Sequence, residues 1–151
     1  MPVTGACRAA PDPDDVRAAL ARILVSRSLI ACPRLVSFLR FVVEAQLAGH
    51  GDRIKGYTVA VEAFGRPDSL DPQIDPIVRV EAVRLRRALA FYYAGEGAAD
   101  PVVILLPRGR YVPVFCGRIA DAPLPSWLRA VRAVQRILHV RLVLRTPSGH
   151  R

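Results

Sequence analysis

Residues 75–97 read DPIVRVEAVRLRRALAFYYAGEG, and this stretch decides the fold. Asp75 followed by Pro76 is typical of a helix start, because the carboxylate accepts from free amides and proline fits the first turn. Gly95 and Gly97 predict the end of the helix through a left-handed cap. Between them apolar side chains recur at helical spacing, which predicts one buried stripe: Val78, Ala82, Leu85, Leu89 and Tyr92.

The outer face of this helix is rich in arginine. At about 100° per residue the arginines fall on two flanks: Arg79, Arg86 and Arg87 around Val83, and Arg84 on the other side. Glu81 is predicted to point outward with them. Many arginine-bearing faces are only solvated surface, and 21 arginines against one lysine indicate a compositional bias. We nevertheless expect this helix to present guanidinium groups to the major groove of DNA.

The positive charge is confined to the second half of the chain. The net charge is +9, but residues 1–75 contain nine basic and nine acidic side chains. Residues 76–151 contain 13 basic and four acidic ones, so they hold the whole excess. Such asymmetry indicates a polyanionic partner for the second half, without separating DNA from RNA or an anionic membrane.

Composition predicts a globular cytoplasmic protein of 151 residues, long enough for one domain with a core. No apolar run approaches the roughly 20 residues that span a bilayer, and there is no apolar signal core near the N-terminus. Cys7, Cys32 and Cys116 form no CxxC pair, which argues against a zinc motif and a disulfide framework. We expect Cys32 and Cys116 to be buried.

Motifs of catalysis are absent from the sequence. There is no glycine-rich phosphate loop, HExxH or GxSxG, and no cysteine or serine has a histidine partner in its sequence context. The three histidines lack ligand spacing. We therefore expect no enzyme activity, no metal site and no cofactor.

The first half of the chain predicts helices. Residues 1–12 are predicted to be disordered, and Asp14 or Asp15 to cap a first helix. Residues 34–49 follow the helical period well, and Gly49 and Gly51 end this second helix. Residues 57–64 read as a two-turn helix stopped by Gly65. A loop of residues 66–74 then leads to the basic helix, which is the order of a helix-turn-helix.

A β-hairpin is predicted directly after the basic helix. Residues 102–106 and 111–115 are rich in β-formers and flank the turn Pro107-Arg108-Gly109-Arg110. Pro113 predicts that the second strand is an edge. The order of elements therefore predicts a winged helix-turn-helix, mainly α with a small β-hairpin wing, over residues 13–116. The tip arginines would lie along the DNA backbone or enter a minor groove.

The C-terminal part is predicted to lie apart from this domain. Residues 117–125 read as a linker, residues 126–145 as a basic amphipathic helix and residues 146–151 as a tail. The helix has three interpretations: an extra core or dimerisation helix, a helix on an anionic membrane, or an extension of a DNA contact. We favour the first and do not expect a membrane partner.

Residues 55–115 resemble the C-terminal winged-helix domain of OmpR/PhoB-type response regulators. VAVEAFG resembles the positioning helix of that family, VRVEAVRLRRAL its recognition helix, and PRGRYVPVF its wing. The resemblance implies that Arg84 contacts bases, Arg86 a phosphate and Arg108 the DNA beside the wing. The sequence departs from the family in having no receiver domain, two predicted helices in place of the N-terminal sheet, and no second glycine in the wing.

A wider pattern covers roughly residues 16–115. SRSLI, KGYTVAVEAFGR, DPQIDPIVRVEAVRLRRAL and PRGRYVPVF together resemble a bacterial winged-helix-like domain. That domain occurs at the N-terminus of regulators with tetratricopeptide or cyclase-like annotations. The resemblance again implies DNA binding, and the carboxylates of a cyclase site are not found here.

These patterns predict a bacterial transcriptional regulator that binds double-stranded DNA as a homodimer on paired half-sites. Arg79 and Arg84 are candidates for base edges, since arginine pairs bidentately with guanine, and Val83 is a further DNA-binding candidate on the same helix. The remaining candidates are backbone and wing contacts: Arg86 and Arg87 for phosphates, Arg108 and Arg110 for the wing, and Lys55, Tyr57 and Thr58 at the start of the positioning helix. Glu81 would accept from cytosine or pair with Arg84. The alternative function is a protein-interaction adaptor that uses the same helix and hairpin.

Overall fold

The computed structural model describes residues 7–8, 10–66 and 76–118. In chain order these form β1 (Cys7–Arg8), α1 (Pro13–Leu24), α2 (Pro33–Leu47), α3 (Gly56–Thr58), α4 (Ile77–Ala94), β2 (Val102–Leu105) and β3 (Val114–Arg118). A 3-10 turn at Gly51–Arg53 precedes α3, and a π-helical turn at Val59–Ala63 extends it. The described part is mainly helical and carries an antiparallel hairpin, as the sequence predicts.

The first two helices begin at prolines. Pro13 and Pro33 stand in the first turns of α1 and α2, where the missing amide leaves no hydrogen bond unmade. Asp12 caps α1 by accepting from the Asp14 amide at 2.9 Å. The predicted cap at Asp14 or Asp15 is therefore wrong, because the proline moves the start of the helix toward the N-terminus.

The basic helix α4 buries the predicted stripe. Each of its five apolar members is at most 4% exposed. The helix ends at Gly95, whose φ of −124° is not left-handed, so the predicted type of cap is wrong. Gly97 is required for a different reason: a Cβ there would overlap the ring of Tyr92. The predicted N-cap, Asp75, lies outside the described residues.

One apolar core joins the helices to the hairpin. Phe38 of α2 is fully buried, and its ring lies 5.5 Å from that of Phe64 and 6.1 Å from that of Tyr111, both edge-on. Tyr93 of α4 is also fully buried, and its hydroxyl accepts from the Ile104 amide at 2.7 Å. Burying side chains of this size contributes about 1.5–3 kcal/mol each, so α2 and the hairpin together hold α4 in place.

The sheet has three strands in the order β1-β3-β2, all antiparallel. Cys7 pairs with Arg118 and Arg8 with Gly117, so the prediction that residues 1–12 are disordered is wrong for the strand. The same pairing makes β3 the central strand. Pro113 precedes β3 and does not mark an edge, because it stands outside the ladder.

The hairpin is shorter at its turn than predicted. Its register runs from Val102 opposite Gly117 to Leu105 opposite Val114. Residues 106–113, here called the hairpin loop, therefore lie beyond the last pair, so the prediction of strand for Leu106 and for residues 111–113 is wrong. At the other end Gly117 and Arg118 belong to β3 rather than to a linker. The linker beyond them and the predicted helix and tail lie outside the described residues.

Cysteine usage differs from the prediction. Cys116 is buried, as expected, but it is disulfide-bonded, whereas Cys32 is free and only half-buried. The wide spacing of the three cysteines carries no information about strand pairing, which is why the bond was missed. Within the described ranges, no helix is both long and apolar enough to cross a membrane.

Candidate nucleic-acid interface

The exposed face of α4 combines arginine with valine. Arg79 and Arg87 are exposed, and among the described residues neither forms an ion pair or a side-chain hydrogen bond. Val80 and Val83 lie between them on the same face, 52% and 42% exposed. Cationic and methyl groups side by side suit contact with a nucleic acid, which presents both phosphates and the apolar edges of bases.

Arg84 is held by a buried carboxylate. Glu81 is only 3% exposed, so the prediction that it points outward is wrong. Its Oε1 and Oε2 accept from Arg84 Nη1 at 3.0 and 3.3 Å, which confirms the predicted pairing at i,i+3. Arg34 at the start of α2 adds a second cation, its Nη1 lying 3.7 Å from Oε1. Removing a carboxylate from water costs free energy, and attraction to the two guanidinium groups offsets this cost.

Arg86 has a structural partner that the sequence does not reveal. It was expected on the exposed face to contact a phosphate, but it is half-buried. Its Nε donates to Leu106 O at 2.9 Å, and its Nη2 donates to Pro107 O at 3.0 Å and to Arg110 O at 3.1 Å. Burial lowers the pKa of this guanidinium, the nearby Tyr111 opposes this shift and Arg108 adds to it; arginine nonetheless stays charged. Its donors are turned to the hairpin loop instead of outward.

The tip of the hairpin loop presents two cations. Arg108 and Arg110 are both exposed and flank Gly109. Gly109 has a φ of +79°, a left-handed conformation that glycine adopts at no steric cost. The absence of the second wing glycine does not prevent a turn here. Both tip arginines keep the accessible positions predicted for them.

The start of α3 is capped by hydrogen bonds among its own residues. Lys55 and Tyr57 are exposed, in line with the predicted surface role. Thr58, by contrast, uses its hydroxyl locally: Oγ1 accepts from the Lys55 amide at 2.8 Å and lies 2.7 and 2.8 Å from the carbonyl oxygens of Arg53 and Lys55. This hydroxyl orders the turn, which gives Thr58 a structural role in place of the predicted contact with the DNA backbone.

A cleft of about 870 Å³ lies between the start of α3, the first turns of α4 and the hairpin loop. Lys55, Arg79 and Arg110 line it from three separate parts of the fold, and Arg86 is also among the lining residues. Asp52 is the acidic residue of the lining. The fold thus brings together cations that are up to 55 positions apart, and the cleft is positive in sum.

Two members of this surface were missed from the sequence. Arg34 was not predicted to belong to it, since no sequence pattern connects the start of α2 with α4. The burial of Glu81 was missed because its helical position borders the buried stripe without belonging to it. The i,i+3 spacing of Glu81 and Arg84 was the one local signal for the pair.

Within the part of the chain that the structure describes, no group of three or more His, Cys, Asp or Glu side chains could hold a metal ion. No protein-family model matches this chain, and no curated protein or solved structure is significantly similar to it.

Proposed function

We propose that this chain is a bacterial transcriptional regulator, without catalytic activity, that binds double-stranded DNA in a sequence-specific manner through a winged helix-turn-helix. In this arrangement α3 and its π-helical turn form the positioning helix, α4 enters the major groove, and the hairpin is the wing. The wing arginines then reach the backbone or the neighbouring minor groove.

One observation carries this proposal: Lys55, Arg79 and Arg110 converge on a single cleft from the positioning helix, the basic helix and the wing. A compositional bias toward arginine would scatter cations over the surface. Convergence from distant parts of the chain costs repulsion between like charges, which a polyanion relieves when it binds. The regular spacing of phosphates on a DNA strand suits such a set.

The exposed face of α4 supports base recognition. Arg79 and Arg84 are our candidates for guanine edges, and Arg87, with Lys55 and Tyr57, for phosphates. Val80 and Val83 suit contact with thymine methyl groups, because apolar side chains bind these in the major groove. In this assignment Arg84 breaks its ion pair with Glu81, or keeps part of it, when it binds DNA.

The exposed valines also support a second function, the protein-interaction adaptor. Val80 and Val83 together with Phe91, which is 43% exposed, place three apolar side chains on the outer face of α4. An adaptor would bury this face against a partner protein. Its affinity would then depend on apolar area and only weakly on salt.

Salt dependence of DNA binding separates the two functions. Contact with about six phosphates predicts a slope of log affinity against log salt of about −5. Replacing Arg87, a candidate phosphate contact, with alanine should reduce the slope by about 1. Arg40→Ala removes the same charge from the exposed face of α2 and is the matched control. An unchanged slope in Arg87→Ala, or a chain that shows no affinity for duplex DNA at low salt, would exclude this interface.

Selection of genomic DNA fragments at physiological salt tests sequence specificity. We expect one enriched motif, which Arg84→Ala relaxes, and a two-fold symmetric motif if the protein binds as a homodimer.

A regulator of this type acts in the cytoplasm, where thiols are kept reduced. The disulfide bond of Cys116 would be reduced there, so alkylation of Cys116 in lysates prepared from intact cells under denaturing conditions tests the compartment.

A further inference from the structure

The hairpin loop lacks the backbone hydrogen bonds that join paired strands. The ladder between β2 and β3 ends at the Leu105–Val114 pair, so eight residues, 106–113, lie beyond it. Among the described residues, no hydrogen bond from one backbone to another involves this loop. Its side chains pack only near the two ends, where Leu106 is buried, Tyr111 reaches Phe38 and Val112 is half-buried, whereas residues 108–110 at the tip are exposed.

Arg86 supplies a connection to both limbs of this loop. Its guanidinium donates to the carbonyl oxygens of Leu106 and Pro107 before the tip and of Arg110 after it. A single side chain thus bridges the loop across its mouth and joins it to the middle of α4. Only arginine offers rigid, planar donors in this geometry, because the ammonium of lysine is one point with three rotating donors.

The bridge sets the distance between the wing cations and the basic helix. Arg110 is the residue of the second limb to which Arg86 donates, and it lines the same cleft as Arg79 and Lys55. Without the bridge, like charges on the two sides would drive the loop outward, since Arg86, Arg108 and Arg110 lie close together. Attraction to the three carbonyl oxygens opposes this repulsion.

We infer that Arg86 is a positioning residue, which fixes the wing to α4 so that helix and wing meet DNA as one rigid unit. This inference rests on the proposed function for its DNA part, and on the hydrogen bonds alone for its structural part. It replaces the phosphate contact that the position of Arg86 in the sequence suggests.

The first test measures loop order in the absence of DNA. NMR order parameters of the amides at residues 108–112 should be about 0.85 in the wild type, the value of rigid backbone. In Arg86→Lys they should fall below about 0.6. The neighbouring Arg87→Lys makes the same replacement on the exposed face and should leave them unchanged. Equal order in Arg86→Lys and the wild type would overturn the inference, whether or not the chain binds DNA.

The second test measures DNA affinity in a double-mutant cycle. Arg86→Lys keeps the charge, yet it should weaken binding about tenfold in the wild-type background. It should also reduce the salt slope by about as much as the double variant that carries both Arg108→Ala and Arg110→Ala. In the background that already lacks both wing arginines, Arg86→Lys should have no further effect, because nothing remains to be positioned.

The outcomes of the cycle are distinct. A loss of equal size in both backgrounds would mean that Arg86 itself contacts DNA, and it would overturn the positioning role. A wild-type chain that fails to bind DNA would refute the proposed function, and the order parameters would still decide the structural part. Thermal unfolding of Arg86→Lys, with a melting temperature close to that of Arg87→Lys, would exclude general unfolding as the cause.

Discussion

Glu81 and Arg84 form a hydrogen-bonded ion pair on one turn of α4, with the carboxylate buried and the guanidinium half-exposed. The Glu81 side chain is 4% exposed and the Arg84 side chain 53%. The pair therefore joins the core side of the helix to its proposed DNA-binding side. It restricts the arginine that is our first candidate for reading a base.

Glu81→Gln should loosen this restriction. Removing the carboxylate charge releases Arg84 and Arg34, so affinity for DNA of any sequence should rise several-fold at low salt while preference for the selected motif falls. Stability should decrease by about 1–2 kcal/mol, because a charge-assisted hydrogen bond is lost. Binding and denaturant unfolding measure the two effects.

Glu44→Gln is the matched control for Glu81→Gln. It makes the same change of charge on α2, where Glu44 pairs with Arg17 and is 46% exposed. It should alter affinity less and leave motif preference intact. If the two variants behave alike, only net charge matters, and Arg84 is not positioned by Glu81.

Val83→Ala tests apolar recognition on α4. Loss of the exposed methyl groups should relax the selected motif at a thymine position and weaken binding to the intact motif several-fold. The salt slope should stay unchanged, since no phosphate contact is lost. Val25→Ala, at a position 68% exposed after α1, should change neither quantity. A lower slope in Val83→Ala would contradict the assignment.

Thr58→Val tests the local role of this hydroxyl. Without it the Lys55 amide loses the acceptor at 2.8 Å, and we expect a destabilisation of about 1 kcal/mol. Thr58→Ser retains the hydroxyl and should stay close to the wild type. Chemical denaturation of the three proteins measures the difference. A large loss of DNA affinity in Thr58→Val without loss of stability would restore Thr58 to the interface.

Tyr93→Phe should be more costly than Tyr111→Phe. The variant leaves the Ile104 amide without its acceptor in the core, which should cost about 1–3 kcal/mol. Tyr111→Phe removes a hydroxyl that makes no hydrogen bond to the described residues and serves as the control. Equal midpoints of unfolding would show that the Tyr93 hydroxyl does not join α4 to β2.

Alkaline pH should unfold the protein through two buried phenols. Burial raises the pKa of Tyr92 and Tyr93, and the hydrogen bond from Tyr92 to Asp100 raises that of Tyr92 further. A raised folded-state pKa means that the stabilisation is complete below the unfolded value, about 10, and is lost as pH rises above it. Stability should therefore fall above about pH 10, and less steeply in Tyr93→Phe than in the wild type. Parallel curves would contradict this cause.

The sequence by itself determined the local elements. The apolar period of 3.6 residues placed α2 and the buried stripe of α4, because the amphipathic pattern of a helix depends on neighbours three and four positions away. The β-formers on both sides of Arg108 and Gly109 predicted the hairpin for the same local reason. Exposure of Arg79 and Arg87 followed directly from the period.

Only the tertiary structure decided what the polar side chains do. Arg86 and Arg87 are adjacent in the chain, yet one lies under the hairpin loop and the other is exposed, because the loop packs on one flank of α4. Glu81 is buried because Arg34 arrives from another helix. Pairing of β1 with β3 and the convergence of Lys55 with Arg110 likewise join residues more than 50 positions apart. Such contacts depend on how elements pack, and helical or strand periodicity describes each element alone.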